Sequence, residues 1–280
     1  MAIGTQGQYL VGERQLTFTE PAHHTKAGLA VGARTLDTQV WYPQASATGP
    51  FPVLMFAPGF QQCADEYAGL LRSWASAGYV VAAVNFPRTS CAAGAGAYEP
   101  DLVNQPADLS YVLTQLLAGS GPHPLIPVRL DPHQVAAAGQ SDGGDTVAAL
   151  AANTCCADRR LTAVAVLSGA EWPMPGQFFT GPAPPVLFTQ GDADPVNPPA
   201  ASLQLYRADD VGDRYYLDLF GASHLPPYEG SSPAEQQVAR VTLDFFDRYV
   251  LGQPAARAAM TRDGDAGGTA TLVSGGHVPR

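Results

Sequence analysis

The stretch VAAAGQSDGGDT, residues 135–146, decides the fold of this chain. It begins as a continuous apolar run, which is typical of a strand buried on both faces of a sheet. The run breaks at Ser141, which lies between Gly139 and Gly143, and a helical pattern follows over 142–152. A strand, a glycine-flanked serine and a helix in direct succession predict a nucleophile elbow, because the glycines allow a turn that is too tight for side chains on either flank.

The rest of the chain repeats the alternation of apolar strands and helices. Strands are predicted at 52–57, 79–86, 134–139, 161–168, 185–191 and 214–220, and helices at 65–77, 106–117, 142–152, 199–208 and 233–251. Two further β-prone stretches, 15–19 and 35–42, predict an antiparallel edge. The pattern predicts an α/β fold, a three-layer sandwich whose mostly parallel central sheet of about eight strands is flanked by helices.

The length of 280 residues and the 46% hydrophobic content suffice for one large core, so we expect a single domain over residues 1–280. Residues 252–280 are rich in glycine and alanine and low in hydrophobicity, which predicts a loosely packed tail. The short connection at 169–185, where many lipases insert a helical lid, leaves no room for a lid domain. We therefore expect an open, shallow cleft.

Charge and hydropathy exclude several classes of partner. With a net charge of −10 and 15 basic residues, the chain lacks the basic face that binding of nucleic acid requires. No apolar window is long enough to span a membrane, and the N-terminus lacks the charged start and apolar segment of an export signal. We expect a soluble protein and favour a monomer.

The four cysteines are Cys63, Cys91, Cys155 and Cys156. They form no Cys-x-x-Cys pair and have no histidine at ligand spacing, so we expect no metal site. Their even number permits disulfides and slightly favours a secreted protein over a cytoplasmic one. A bond between the neighbours Cys155 and Cys156 would be strained, and the sequence leaves open whether the thiols are free and buried or at least one bridge forms.

A serine nucleophile needs a histidine to take its proton and an acid to orient that histidine. In a fold of this kind the three follow in the order serine, acid, histidine. Downstream of Ser141, His224 follows the last predicted strand, whereas His277 lies in the predicted tail, so His224 is the better candidate. Asp192 and Asp194 both follow a strand end, and the residues alone leave the choice between them open.

An oxyanion needs backbone N–H donors beside the serine. The N–H of Asp142, at the start of the helix, is one candidate, and the N–H of Phe60, in the loop PGFQQ after the strand at 52–57, is the other. The Phe60 side chain is also compatible with plain core packing. The side chains of Asp142 and Asp145 are competing carboxylates, for which helix capping is the simpler role.

The motifs PVLMFAPGF, GQSDGG, GDADPVNPP and GASHLPP together resemble the α/β-hydrolase superfamily, in particular the cap-less esterases related to dienelactone hydrolases, platelet-activating-factor acetylhydrolases and cutinase-like bacterial polyester hydrolases. The resemblance implies Ser141 as nucleophile, Asp194 rather than Asp192 as acid, and His224 as base. It also implies a substrate-flanking role for Trp172, for which a loop anchor is the alternative. Phe60 and Gln61 are further predicted substrate contacts.

Two residues depart from that resemblance. Relatives often carry a histidine where Gln140 stands and an apolar residue where Asp142 stands. A carboxylate next to the nucleophile should disfavour anionic substrates.

The sequence thus predicts a serine carboxylic-ester hydrolase for short- to medium-chain esters, with polyesters as a further class. We expect it to need no metal or organic cofactor. A thioesterase or acyltransferase that uses the same residues, and a non-catalytic binding module with a hydrolase fold, are the alternatives.

Overall fold

A computed structural model of the chain describes residues 9–24, 28, 30–44, 49–121, 124–210 and 212–275. Its strands are β1 (Leu10–Glu20), β2 (His23–His24), β3 (Ala30–Val31), β4 (Arg34–Gln44), β5 (Phe51–Ala57), β6 (Val80–Asn85), β7 (Leu130–Gln140), β8 (Leu161–Leu167), β9 (Val186–Gly191), β10 (Arg214–Leu219) and β11 (Ala270–Ser274). Its α-helices are α1 (Ala68–Ser76), α2 (Gln105–Ala118), α3 (Asp142–Ala152), α4 (Pro199–Ala208), α5 (Pro233–Tyr249) and α6 (Ala256–Gly264).

The central sheet has nine strands in the order β1-β4-β6-β5-β7-β8-β9-β10-β11. The six neighbouring strands β6, β5, β7, β8, β9 and β10 pair in parallel. The pairs β1 with β4, β4 with β6, and β10 with β11 are antiparallel. The predicted α/β class and the antiparallel edge are therefore confirmed, with one strand more than the eight expected. Because all parallel strands run the same way, their carboxyl ends meet at one edge of the sheet, which is where loops can assemble a site.

Helices cover both faces of the sheet. Alternate residues of β5 point to opposite sides, with Val53 and Met55 in the core that includes α2, α3 and α4, and Leu54 and Phe56 in the core that includes α1, α5 and α6. All seven residues of β5 are buried. This two-sided burial explains why the strand reads as a continuous apolar run rather than as an alternating one.

The C-terminal segment differs from the loosely packed tail predicted for 252–280. Helix α6 and strand β11 lie within it, and β11 adds to the sheet beside β10. Met260 and Ala270 are buried against the core of α1 and α5. Helix α6 and strand β11 could not be predicted from the composition of the segment, because only a few of its side chains face the core. His277 lies outside the described residues.

The connection from β8 to β9, residues 168–185, contains no helix, in agreement with the predicted absence of a lid. Across the described ranges, no helix combines the length and apolarity needed to cross a bilayer.

Both cysteine pairs are joined, Cys63 to Cys91 and Cys155 to Cys156. This settles the question that the sequence left open, in favour of bridges over free thiols. The first bond links the loop after β5 to the loop after β6, and the second joins neighbours just after α3.

Candidate active site

Ser141 lies at the turn between β7 and α3, at the carboxyl edge of the sheet. Its backbone has φ 55° and ψ −124°, a conformation that non-glycine residues rarely adopt. The N–H of Ser141 donates to the carbonyl of Leu167 at the end of β8 (2.9 Å), and its own carbonyl accepts the N–H of Asp145 in the first turn of α3 (3.0 Å). The turn is thus held from both sides, as the predicted elbow requires.

The two motif glycines are required by close backbone contacts. A Cβ on Gly143 would overlap the carbonyl oxygen of Ala57 at the end of β5, and a Cβ on Gly139 would overlap the carbonyl oxygen of Gly143. A Cβ on Gly144 would lie 2.9 Å from the Cα of Gly169. Strand, turn and helix therefore approach one another more closely than any side chain allows.

Three of the predicted residues form a continuous chain of hydrogen bonds. The Oγ of Ser141 lies 2.9 Å from Nε2 of His224, and Nδ1 of His224 lies 2.7 Å from an Oδ of Asp194. His224 and Asp194 are buried, and Ser141 is partly exposed. Asp192 is exposed, and its carboxylate instead accepts the N–H of Gly221. The structure thus brings Asp194, and not Asp192, to the histidine.

Asp194 is fixed by contacts that the sequence did not predict. One carboxylate oxygen accepts the N–H groups of Val196 (2.8 Å) and Asn197 (3.0 Å), and the other accepts the side-chain amide of Gln190 (3.1 Å) as well as His224. Asn197 in turn donates its side-chain amide to the carbonyl of Ser168 (2.7 Å), which ties this loop to the end of β8. Aspartate followed within three residues by paired backbone N–H groups is a common turn pattern, and that signal was available in DADPVN.

The loop after β5 lies directly against the elbow. A Cβ on Gly59 would come 3.2 Å from the Cβ of Ser141, so this glycine allows the loop to approach closely. Gln61 is exposed with φ 58°, and its N–H donates to the carbonyl of Thr89 (2.6 Å). Phe60 is partly exposed, and its N–H has no acceptor in the described part of the chain. Asp142, as the first residue of α3, has an N–H that no helical carbonyl can accept.

Carboxylates give the neighbourhood of Ser141 an unusual electrostatic character. Burial, together with the negative charge of Glu99, raises the pKa of Asp142 from 3.8 to about 7. One carboxylate oxygen of Asp142 is buried and has no hydrogen-bond partner within the described ranges. Burial also raises the pKa of Asp145 well above its usual value, although its carboxylate accepts the N–H of Ala170. The predicted capping role is therefore wrong for both side chains, since no described side chain caps the start of α3. Asp145 instead holds the loop after β8, and Asp142 has one carboxylate oxygen without a partner in the described residues.

Trp172 lies in the loop after β8, as predicted. It is partly buried and packs against a small apolar cluster formed by Leu102, Ala149 and Met174. This packing anchors the loop and leaves part of the indole exposed. Its contact with a substrate, like those of Phe60 and Gln61, stays a prediction.

Two other features bear on ligands. A cavity of about 530 Å³ runs along the outer side of α2, between β2 and the Cys155–Cys156 turn, and Ser141, His224 and Asp194 do not line it. In the described residues, Cys63, Glu66 and Cys91 are close enough to share a metal ion, but both sulfurs belong to the disulfide. Neither feature adds to the chemistry at Ser141.

The family model named Chlorophyllase matches residues 30–189, which is more than half of the chain. The matched region begins at β3, contains the loop after β5 and the whole elbow, and ends within β9. The narrower resemblance to dienelactone hydrolases, platelet-activating-factor acetylhydrolases and polyester hydrolases stays a prediction. By its sheet, its elbow serine and this match, the chain belongs to the Chlorophyllase family, an esterase family of the α/β-hydrolase superfamily.

Proposed function

We propose that this protein is a serine carboxylic-ester hydrolase that acts through Ser141, His224 and Asp194 on short- to medium-chain esters. The observation that carries the proposal is the hydrogen-bond chain from Ser141 through His224 to Asp194, with distances of 2.9 and 2.7 Å. A serine hydroxyl is a poor nucleophile near neutral pH, and a histidine acceptor at this distance can take its proton during attack.

The reaction proceeds in two acyl-transfer steps. The Ser141 oxygen attacks the ester carbonyl while Nε2 of His224 takes the hydroxyl proton, and that proton then passes to the departing alcohol. Water next gives a proton to His224 and attacks the acyl-enzyme, which releases the carboxylic acid and restores the serine. Asp194 holds the imidazole with its proton on Nδ1. The N–H groups of Phe60 and Asp142 stabilise the oxyanion, assisted by the N-terminus of α3.

The surroundings of the serine favour neutral esters. Asp142 directly follows the nucleophile, and above its pKa of about 7 its negative charge repels a carboxylate on the substrate. The connection between β8 and β9 contains no helix that could close over the site. Small esters, and long esters that lie on the surface, fit such an open cleft better than a substrate that must be enclosed.

A p-nitrophenyl ester series from acetate to laurate tests this proposal. We expect the best rates on short to medium chains and a fall in kcat of at least about 10³-fold for Ser141→Ala. Asp194→Asn should lose a comparable factor because the imidazole then adopts the wrong tautomer. Asp192→Asn is the matched control and should keep normal turnover. Undiminished turnover by Ser141→Ala would refute the assignment.

The panel also separates other acyl-transfer roles. Thioesters, alcohol acceptors in place of water, and chlorophyll, which the family's name indicates as a substrate for other members, extend the ester series. A preference for a thioester or a non-water acceptor would change the reaction but keep the residues. A purified protein that a fluorophosphonate probe does not label would instead point to a binding module.

A further inference from the structure

Gln140 carries a buried side-chain amide that has no part in the two acyl-transfer steps. It is the last residue of β7, immediately before Ser141, and it is fully buried. Its side-chain oxygen accepts a hydrogen bond from the hydroxyl of Tyr67 (2.7 Å). Its side-chain nitrogen lies 3.2 Å from Nε2 of His224 and donates to the backbone carbonyl of His224, also at 3.2 Å.

The network fixes which end of the amide faces the histidine. The Tyr67 hydroxyl accepts the N–H of Gly59 (3.2 Å), so its own proton is directed to the Gln140 oxygen. The carbonyl of His224 can only accept, so the amide nitrogen must lie on its side. Turning the amide round would place two carbonyl oxygens against each other. The NH₂ group of Gln140 therefore faces the imidazole.

This placement makes Gln140 a second donor toward the ring nitrogen that receives the serine proton. Neutral Nε2 has one lone pair, which the Ser141 hydroxyl and the Gln140 amide approach together. Once Nε2 carries a proton, the amide N–H faces another N–H. The amide therefore favours the neutral imidazole and opposes the protonated one, which also favours release of that proton to the leaving alcohol.

The titratable groups that contact the ring, or lie near its hydrogen-bond partners, come from several elements. Asp194, from the loop after β9, makes the direct charged contact with the imidazole. Tyr67, from the turn before α1, and Tyr228, from the loop before α5, have pKa values that burial raises above the usual range, so both phenols stay neutral. Asp142 lies next to Ser141 at the start of α3.

We propose that Gln140 is a positioning residue for the base, and that through Tyr67 and Gly59 it couples the orientation of His224 to the oxyanion loop. This inference rests on the proposed function for its catalytic meaning. Its structural basis is the hydrogen-bond chain from the Gly59 N–H through the Tyr67 hydroxyl and the Gln140 amide to His224. The bridge spans two elements that must keep a fixed distance while the tetrahedral intermediate forms.

Gln140→Glu and Gln140→Met test the bridge. The glutamate is isosteric but replaces the donor by a carboxylate, so it should stabilise the protonated ring and move the acidic limb of the kcat/KM profile upward by about one pH unit or more. The methionine removes both contacts with His224, and should lower kcat at least about tenfold, with little change in KM and a smaller movement of the limb. Tyr67→Phe should lower kcat in the same way, because Gly59 loses its acceptor.

The titration midpoint of the His224 ring, followed by NMR in the same variants, gives a readout that does not depend on turnover. It should rise in the order wild type, Gln140→Met, Gln140→Glu. The matched control is Gln237→Glu, the same change at a buried glutamine of α5 whose amide donates to the carbonyl of Asp263. This control should leave both the profile and the titration unchanged.

The outcomes separate the two proposals. An unchanged midpoint and acidic limb in Gln140→Glu would overturn the role of Gln140, whatever the fate of the esterase assignment. Turnover that survives Ser141→Ala would overturn the proposed function, while the NMR titration would still decide whether Gln140 controls the ring. Loss of activity in Gln140→Met and Gln140→Glu without any pH shift would indicate a merely structural residue and so also overturn the inference.

Discussion

Asp142→Asn should make the stability of this protein less sensitive to pH. The folded state raises the pKa of Asp142 from 3.8 to about 7, chiefly through burial. A carboxyl whose pKa is raised on folding lowers the free energy of unfolding once the pH exceeds its pKa in the unfolded state. The loss grows as the pH rises toward the pKa in the folded state and is complete above that pKa. A shift of about three pKa units corresponds to about 4 kcal/mol, as an upper bound. Asparagine keeps the shape and the backbone N–H but does not titrate.

Urea unfolding at pH 5.5 and pH 8.5 measures this effect, both values lying above the isoelectric point of about 4.9. From pH 5.5 to pH 8.5, ionisation of Asp142 should lower the unfolding free energy of the wild type by about 2 kcal/mol. The reason is that the loss accumulates over the roughly 1.5 pH units between pH 5.5 and the folded-state pKa of about 7. The difference in unfolding free energy, Asp142→Asn minus wild type, should therefore grow by about 2 kcal/mol from the lower pH to the higher.

The same variant should change substrate selectivity at high pH. Two like charges about 6 Å apart at an effective dielectric constant of about 20 repel by about 3 kcal/mol, and solvent weakens this at an open site. At pH 8.5 we expect Asp142→Asn to raise the kcat/KM ratio of an anionic ester, mono-p-nitrophenyl succinate, to neutral p-nitrophenyl butyrate by at least about tenfold. At pH 5.5, where Asp142 is mostly neutral, variant and wild type should converge.

Asp244→Asn is the matched control for both measurements. Burial and neighbouring carboxylates raise the pKa of Asp244, on α5, to about 7 as well. Its substitution should also relieve the stability loss at high pH but leave the selectivity ratio unchanged. A wild-type pH dependence of stability in Asp142→Asn, or an equal change of selectivity at both pH values, would contradict the role of the Asp142 charge.

Two further perturbations concern the elbow and its supports. Gly143→Ala should destabilise the fold by several kcal/mol or prevent folding, because the new methyl group overlaps the carbonyl oxygen of Ala57; thermal unfolding measures this. Replacing Cys63 and Cys91 together by alanine opens a loop with a sequence separation of 28 and should lower the unfolding free energy by about 3 to 4 kcal/mol, measured by urea unfolding of the oxidised proteins.

Each of these has a control within the chain. Gly267→Ala adds a methyl group where nothing lies within 4 Å, so a comparable loss there would contradict the steric argument. Alanine at both Cys155 and Cys156 removes a bond between neighbours that closes almost no loop. If this second pair lost as much stability as the first, loop closure would not explain the effect of Cys63–Cys91.

Local signals made the centre of the fold predictable from the sequence. The predicted helices at 142–152 and 199–208 match α3 and α4 residue for residue, because in each a strand end or a proline marks the start. The elbow at Ser141 was equally readable, since its strand, turn and helix are contiguous. In these segments the periodicity of apolar residues and the packing of the sheet favour the same secondary structure.

Contacts between segments that lie far apart in the sequence could not be predicted in the same way. Tyr67 and Gln140 are 73 residues apart, and no pattern in either segment indicates that a phenol and an amide will meet. The sequence left Asp192 and Asp194 equivalent because both follow the same strand, and only the fold shows which carboxylate turns toward His224. The predicted tail was wrong for a related reason, since the partner of β11 lies some fifty residues upstream in β10.

Strand β11 has a consequence for how the chain matures during synthesis. Strand β10 pairs with β9 on one side and with β11 on the other, so its second row of backbone groups stays open until residues 270–274 have left the ribosome. By then every residue of the candidate site has already emerged. The nascent chain can therefore assemble its serine, acid and histidine while one border of the sheet can still pair with a foreign strand. When β11 pairs with β10, the row of open backbone groups on β10 is satisfied, and the five-residue β11 becomes the edge strand in its place.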